Sequence, residues 1–506
     1  MSEELFQLFR KRIQQVNDLN GAAALLSWDQ RTYMPPAGAA ARAERLGTLS
    51  ELAHEMFTSD ETGELLDRLQ DYVAGLPEDA DDAALWRVVR RQYDKEKRIP
   101  PELSAELTRA SIRGYQAWSV ARPAGDFAAF LPALERVIDL QKEVIRIHRE
   151  ADPAIADDYD ILLDDYEPGL TVAEVSRVFA RLREATMPLV QQVIGHADRV
   201  SDAPVHGTFP IPQQDALVRT ILRQLGFSED SWRLDVTAHP FASPMAIRDI
   251  RLTTKFEESF LNPSLFGTMH EFGHGLYERN VADALDRTPL ARGASMAWHE
   301  SQSRMWENFV GRGRPFWSWA FPLVRDAFPG SFDDVSADDM YRAVNRFGPS
   351  LIRIEADELT YNLHIIIRFE LERDIFSGTV APADLPGAWN SRMKEYLGLD
   401  VPNDRDGVLQ DVHWASGLFG YFPTYALGNV LAAQLWQRIT SDISDLDAEI
   451  GRGDFTSLRT WLAENVHRHG RKYLPKDLLE KVLGVREFDP EPLIAYLSAK
   501  VDGLYA

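Results

Sequence analysis

The stretch His270-Glu271-Phe272-Gly273-His274 places two imidazoles and a carboxylate within about one helical turn. Residues four apart on an α-helix share a face, so His270 and His274 can grip one metal ion together. Glu271 lies about 100° round the axis from His270, beside such an ion rather than beneath it. From there its carboxylate can take a proton from an attacking water. Two ligating imidazoles and an adjacent base are the working parts of metal-assisted hydrolysis, and H-E-x-x-H is how one helix supplies them. A helix with two surface histidines and an incidental acid would carry the same letters without the chemistry.

A catalytic site of this kind needs a third protein ligand and keeps one position open. Glu278, His299, Glu300 and Glu307 are the candidates. Glu278 shares the histidine face, but eight residues put it about 12 Å along the axis from His270. Bonds of about 2 Å cannot span that, so Glu278 is expected behind the ligands or at the surface. Residues 294–309 read as a second helix after the turn-like Thr288-Pro289-Leu290-Ala291-Arg292-Gly293. Returning past the first, it can present His299, Glu300 or Glu307, and spacing alone does not separate them. A His2Glu set would leave a divalent ion net positive, able to polarise a carbonyl and acidify water. Glu271 would then act as base towards water and as acid towards the leaving amine. Such ligands suit one zinc ion per chain, and cobalt, manganese or iron fit the same set.

The elements that must position these groups are mostly helical. Apolar residues recur at three- and four-residue spacing with charges between them, as in Leu5, Leu8, Phe9, Ile13 and Val16. Residues 131–145 repeat the pattern, and 172–183 repeat it behind Thr171, a residue suited to cap a helix. From about Asp202 to Thr254 the texture breaks. Residues 233–237 and 249–254 alternate apolar and polar side chains as short strands do, which puts a small β-element just ahead of the metal helix. The expected fold is mainly α, with a small sheet beside the site. Residues 1–506 show no repeat, low-complexity run or flexible linker, so they read as one domain or two tightly fused lobes.

A net charge of −23 argues against nucleic acid as a partner, since a phosphate backbone would be repelled. The chain has no cysteine, which removes disulfides and thiolate ligands and suits a reducing cytoplasm. No apolar run is long enough for a membrane span, and the first ten residues do not read as a signal peptide.

Further motifs resemble those of the carboxypeptidase Taq family of metallocarboxypeptidases. They are His239-Pro240-Phe241, Asp249-Ile250-Arg251-Leu252-Thr253, His299-Glu300-Ser301-Gln302, Ile352-Arg353-Ile354-Glu355-Ala356-Asp357 and Gly407-Val408-Leu409-Gln410-Asp411-Val412-His413-Trp414. Ser27-Trp28-Asp29-Gln30 with Met34-Pro35 also looks familial, so the ordered set spans residues 27–414. The resemblance selects Glu300, the glutamate of H-E-S-Q, as third ligand. It further implies a large helical peptidase fold with a deep groove, a homodimer, and broad sequential removal of C-terminal amino acids.

Recognising a peptide's free C-terminus suits arginine, whose planar fork donates two parallel hydrogen bonds to a carboxylate. The resemblance links Arg353 with that role; the residue alone equally fits an ion pair with Glu355, Asp357 or another acid. His413 could hold the same carboxylate or steady an oxyanion, and Tyr421 or Tyr425 could donate to that oxyanion. Each could equally be a packed groove wall. His239 and Gln410 are further candidate substrate contacts, while Asp249 and Arg251 share a strand face as an ion pair would. Two other readings fit the residues less well. An endo-oligopeptidase would not need the Arg353 and His413 motifs, and a non-catalytic metal- or peptide-binding protein would not need Glu271.

Overall fold

Helical spacing in the sequence becomes helix along most of the chain. The computed structural model describes residues 2–506, which form helices around one three-stranded sheet. The first helix, Ser2–Thr32, buries Phe6, Phe9, Ile13 and Val16. Leu8, expected on that face, is 60% exposed, because the buried stripe runs through Phe6 and leaves Leu8 on the far side. Thr171 caps the helix Val172–Gly195 in a capping box with Glu174.

The apolar side chains gather into two cores. The smaller joins residues of the N-terminal helices, among them Phe6, Leu66, Leu69 and Val89, to Val281, Leu285 and Leu290. The larger contains Phe272, Trp298, Trp306, Leu427 and Leu435 and surrounds the helices described below.

The break in helical texture holds one more helix than expected, Ile211–Leu225, before the sheet begins. Strands β1 (Trp232–Val236), β2 (Ala242–Ala246) and β3 (Asp249–Thr254) lie in the order β1-β3-β2. β1 runs parallel to β3, and β2 antiparallel to it with an irregularity between Pro244 and Ala246. Pro244 disguised β2 in the sequence; the strand sits at the sheet edge, where a residue without an N–H is tolerated.

Three of the short motifs meet here. Thr253 Oγ1 accepts from the Phe241 amide at 2.8 Å, joining D-x-R-x-T to H-P-F. Asp249 and Arg251 form the ion pair their spacing suggests, and the Arg251 guanidinium lies 4.4 Å over the Trp28 ring. These residues dock the sheet against the first helix. Among the described residues, no helix is long and apolar enough to cross a membrane.

Candidate active site

Two helices carry the metal-ligand candidates, and glycine lets them touch. The His270 helix, Asn262–Arg279, begins with proline in its first turn. A Cβ on Gly273 would come within 2.5 Å of the Gln302 carbonyl oxygen and 2.6 Å of Ser303 Cα. A Cβ on Gly275 would lie 2.5 Å from the Trp232 ring. The helix is therefore pressed against the Glu300 helix on one side and the sheet on the other. The Glu300 helix, Met296–Arg304, is capped by Ser295 and continues into a π-helical turn, Met305–Val310, that carries Glu307. Behind it, Gly428 of the helix Pro423–Asp442 leaves just enough room for Glu300: an added Cβ would stand 2.5 Å from Glu300 Cβ.

His270 Nε2 and His274 Nε2 lie 3.8 and 3.6 Å from Glu300 Oε2, and one ligand atom from each residue falls within 4.8 Å of the others. The far sides of the imidazoles explain why lone pairs face inward. His270 Nδ1 lies 2.9 Å from Glu307 Oε2, and a carboxylate only accepts, so Nδ1 carries the hydrogen and Nε2 the lone pair. His274 Nδ1 lies 2.8 Å from His299 Nδ1, whose Nε2 is 2.7 Å from Glu278 Oε1. Burial pushes the Glu278 carboxyl up, but His299 and Arg292 outweigh it and keep it ionised. His299 then donates from Nε2 and accepts at Nδ1, which leaves His274 Nε2 bare as well. Three acceptor atoms converge with no donor among them, a set that fits a divalent cation.

The remaining Glu300 oxygen is taken. Arg304 Nε donates to Glu300 Oε1 at 2.7 Å, and its Nη1 donates to Glu307 Oε2 at 3.1 Å. One arginine thus braces one candidate ligand, Glu300, and the carboxylate behind another, His270. Glu278 is neither a ligand nor a surface acid; it is buried and holds His299. At His270 burial pushes the pKa down, yet Glu300 and Glu307 outweigh it and raise it above the usual imidazole value. Burial, with Glu300 adding to it, pushes Glu271 up to about 7 against the pull of His270.

A second cluster surrounds Arg353, which begins the short turn Arg353–Glu355 and is 6% exposed. Its ion-pair partner is Asp411 rather than Glu355 or Asp357. Nε and Nη2 donate to Asp411 Oδ1 at 3.0 and 2.7 Å, and Nη1 donates to the Tyr361 hydroxyl at 3.1 Å. Arg368 Nε donates to the other Asp411 oxygen at 2.6 Å. Burial would raise the Asp411 pKa, but the two guanidiniums hold it far below the usual carboxylate range. Two cations share one anion, so the trio stays one carboxylate short of neutral.

Gln410 serves the same turn. Its Oε1 accepts from the Arg353 amide at 2.9 Å, and its Nε2 donates to the Leu351 and Asp406 carbonyls. His413 Nε2 lies 3.2 Å from the Tyr425 hydroxyl. Burial, helped by Arg353 and Arg368, pushes His413 down to about 4, so the imidazole is neutral at pH 7. The Tyr421 and Tyr425 rings are 5.2 Å apart, and burial raises both hydroxyls, keeping them protonated donors. His239 is exposed in the connection from β1 to β2.

The two clusters are joined by Tyr361, a residue the sequence did not single out. The Arg304 guanidinium lies 4.4 Å over its ring, and its hydroxyl accepts from Arg353. Arg304 and the part played by Glu307 also escaped notice. Their signal was present in the spacing Glu300, Arg304, Glu307, which sets acid, base and acid along one helix face.

Comparison with known proteins covers nearly the whole chain. The family model described as carboxypeptidase Taq (M32) metallopeptidase matches residues 8–501. Carboxypeptidase 1 of Bacillus subtilis is 42% identical over 503 residues, covering 99% of this chain and 98% of that protein. Thermostable carboxypeptidase 1 of Thermus thermophilus is 40% identical over 492 residues, 96% of each. The crystal structure of the M32 carboxypeptidase from Deinococcus radiodurans superposes with a TM-score of 0.94 at 39% identity, covering 99% of both chains. Family match, near-complete relatives and fold agree, and the chain belongs to the carboxypeptidase Taq (M32) metallopeptidase family.

Proposed function

We propose that this protein is a zinc-dependent carboxypeptidase that releases residues one at a time, with broad preference, from peptides bearing a free C-terminus. The observation that carries the reading is the pairing of two clusters through Tyr361: a converging His2Glu acceptor set, and a buried guanidinium trio lacking one carboxylate. His270, His274 and Glu300 would hold the ion, which when bound polarises a carbonyl and acidifies water. Glu271 takes the proton of the attacking water and hands it to the departing amine. Its pKa near 7 suits both directions of transfer.

Arg353 binds the terminal carboxylate. Of its five N–H groups three are engaged by Asp411 and Tyr361, leaving one on each terminal nitrogen for an end-on fork. Asp411, Arg368 and Gln410 hold it there. Tyr421 and Tyr425 supply hydroxyl donors for the carbonyl oxygen as it gains charge, and His413 orients Tyr425. His239 flanks the peptide. We place the enzyme in the cytoplasm as a homodimer whose residues 1–506 work as a single catalytic domain.

The test is amino-acid release from a short peptide and its amidated twin, on metal-stripped protein before and after zinc or cobalt is restored. Stepwise, metal-dependent release from the free peptide alone is expected. Internal cleavage of both peptides would make the enzyme an oligopeptidase, and no cleavage of either by the metal-loaded protein would leave a binding protein.

A further inference from the structure

We infer that Tyr361 is a positioning residue that fixes the separation and orientation of the metal-ligand cluster and the Arg353 guanidinium, so that cleavage falls at the last peptide bond. The inference rests on the reading of Arg353 as the carboxylate-binding residue.

Tyr361 opens the helix Tyr361–Ser377 and is 4% exposed. Its backbone is held by Asp357, whose carbonyl accepts from the Tyr361 amide at 2.9 Å and whose carboxylate accepts from Leu359 and Thr360, each at 2.9 Å. The phenol works in two places. Its ring is the plate on which Arg304 lies, and Arg304 is the residue that ties Glu300 to Glu307. Its hydroxyl fixes one edge of Arg353 while Asp411 fixes another. A guanidinium held only by Asp411 could rock about that bond. With Nη1 anchored as well, its plane is set and the free pair of N–H groups keeps one direction. Glu300, Arg304, Tyr361 and Arg353 therefore form one continuous chain of contacts, buried except at the partly exposed Arg304.

The substrate supplies the matching ruler. In a peptide's last residue the terminal carboxylate carbon is three covalent bonds from the scissile carbonyl carbon, a fixed span of about 3–4 Å. An enzyme that grips both ends of that span needs its two grips held to similar precision. A misplacement of about 1 Å can cost on the order of a hundredfold in rate. A tyrosine serving only as core filling would give its ring to packing and would leave substrate affinity alone.

Tyr361→Phe removes the hydroxyl and keeps the plate under Arg304. In the full-length enzyme it should raise KM for the free peptide about tenfold, the loss of one hydrogen bond to a charged group. At saturation kcat should fall too, by up to about a hundredfold, because the bound peptide is less well placed even though the hydrogen bonds to His270, His274 and Glu300 are untouched. Zinc affinity, measured by competition with a chelating dye, should not change. Tyr361→Leu removes the plate too and should weaken zinc binding as well.

Arg353→Lys, measured alongside, separates the layers of the argument. If it raises KM while Tyr361→Phe does not, the inference about Tyr361 is wrong and the carboxylate reading stands. If neither variant moves KM, the carboxylate reading itself fails. A Tyr361→Phe protein that loses zinc affinity and melts early would show Tyr361 to be structural, and that also overturns the inference.

Discussion

An imidazole can hold a cation only through a nitrogen that carries no proton, and this site fixes that at both histidines from behind. Glu307 sets His270, and the pair His299–Glu278 sets His274. Glu271 stands apart from this network and is buried. Glu271→Gln should therefore bind zinc as tightly as the parent while kcat falls by about 10²–10⁴, the usual contribution of a general base. Calorimetric zinc titration beside a turnover assay checks both halves; a variant with parental turnover would remove Glu271 from the mechanism. The facing imidazole pair and the carboxyl beside it were legible because the spacing of H-E-x-x-H depends only on helix geometry. The bracing of His270 by Glu307 and the role of Tyr361 were not, since each comes from a partner on another element; the Glu300, Arg304, Glu307 spacing was there to read but carries no mark of what the group braces. Arg353 lay between, with its ion pair anticipated and Asp411 as its particular partner unforeseen.

Between helices the decisive residue has no side chain. Gly273 brings the His270 helix against the backbone at Gln302 and Ser303, and that closeness lets Glu300 reach both imidazoles. Gly273→Ala should push the helices apart, costing about 1–3 kcal/mol of overpacking. A lower melting temperature together with weaker zinc binding is expected, and a variant with parental values of both would show that the helices have slack. The motif hid this because its two x positions look permissive. The sheet was legible in β1 and β3 through alternation, but β2 was not, because Pro244 argues against a strand until one knows it lies at an edge. The first helix misled in a smaller way: two adjacent faces carry apolar residues, and only packing chooses the one through Phe6 and Phe9.

Across the molecule, buried carboxyl groups outside the two clusters tie distant segments together. Glu167 accepts from the Ala297 amide at the start of the Glu300 helix, and burial pushes its pKa up to about 8. Glu372 accepts from Tyr159, Trp414 and Gly420, bracing the loop after His413, and burial pushes it up to about 7. Both folded-state values exceed those of an unfolded glutamate. Their contribution is complete below the unfolded value of about 4.3 and is lost as pH rises through about 7 and then about 8. The melting temperature should therefore fall as pH rises from about 4.5 to about 8, and Glu167→Gln should lessen the fall. Equal slopes in parent and variant would show that Glu167 does not titrate in this range. None of this was legible from the sequence, where both residues look like ordinary members of an acidic chain.

Gly428 also has a consequence in time. The two histidines and Glu300 leave the ribosome within 31 residues of one another, but the wall behind Glu300 belongs to the helix Pro423–Asp442, the same helix that carries Tyr425. A nascent chain halted before that helix would hold every candidate ligand and Glu271, with Arg304 already on the Glu300 carboxylate, yet the stem of Glu300 would have no wall behind it. The helix that walls Glu300 is also the one that carries Tyr425, so both sides of the proposed centre are completed by the same late segment of the chain.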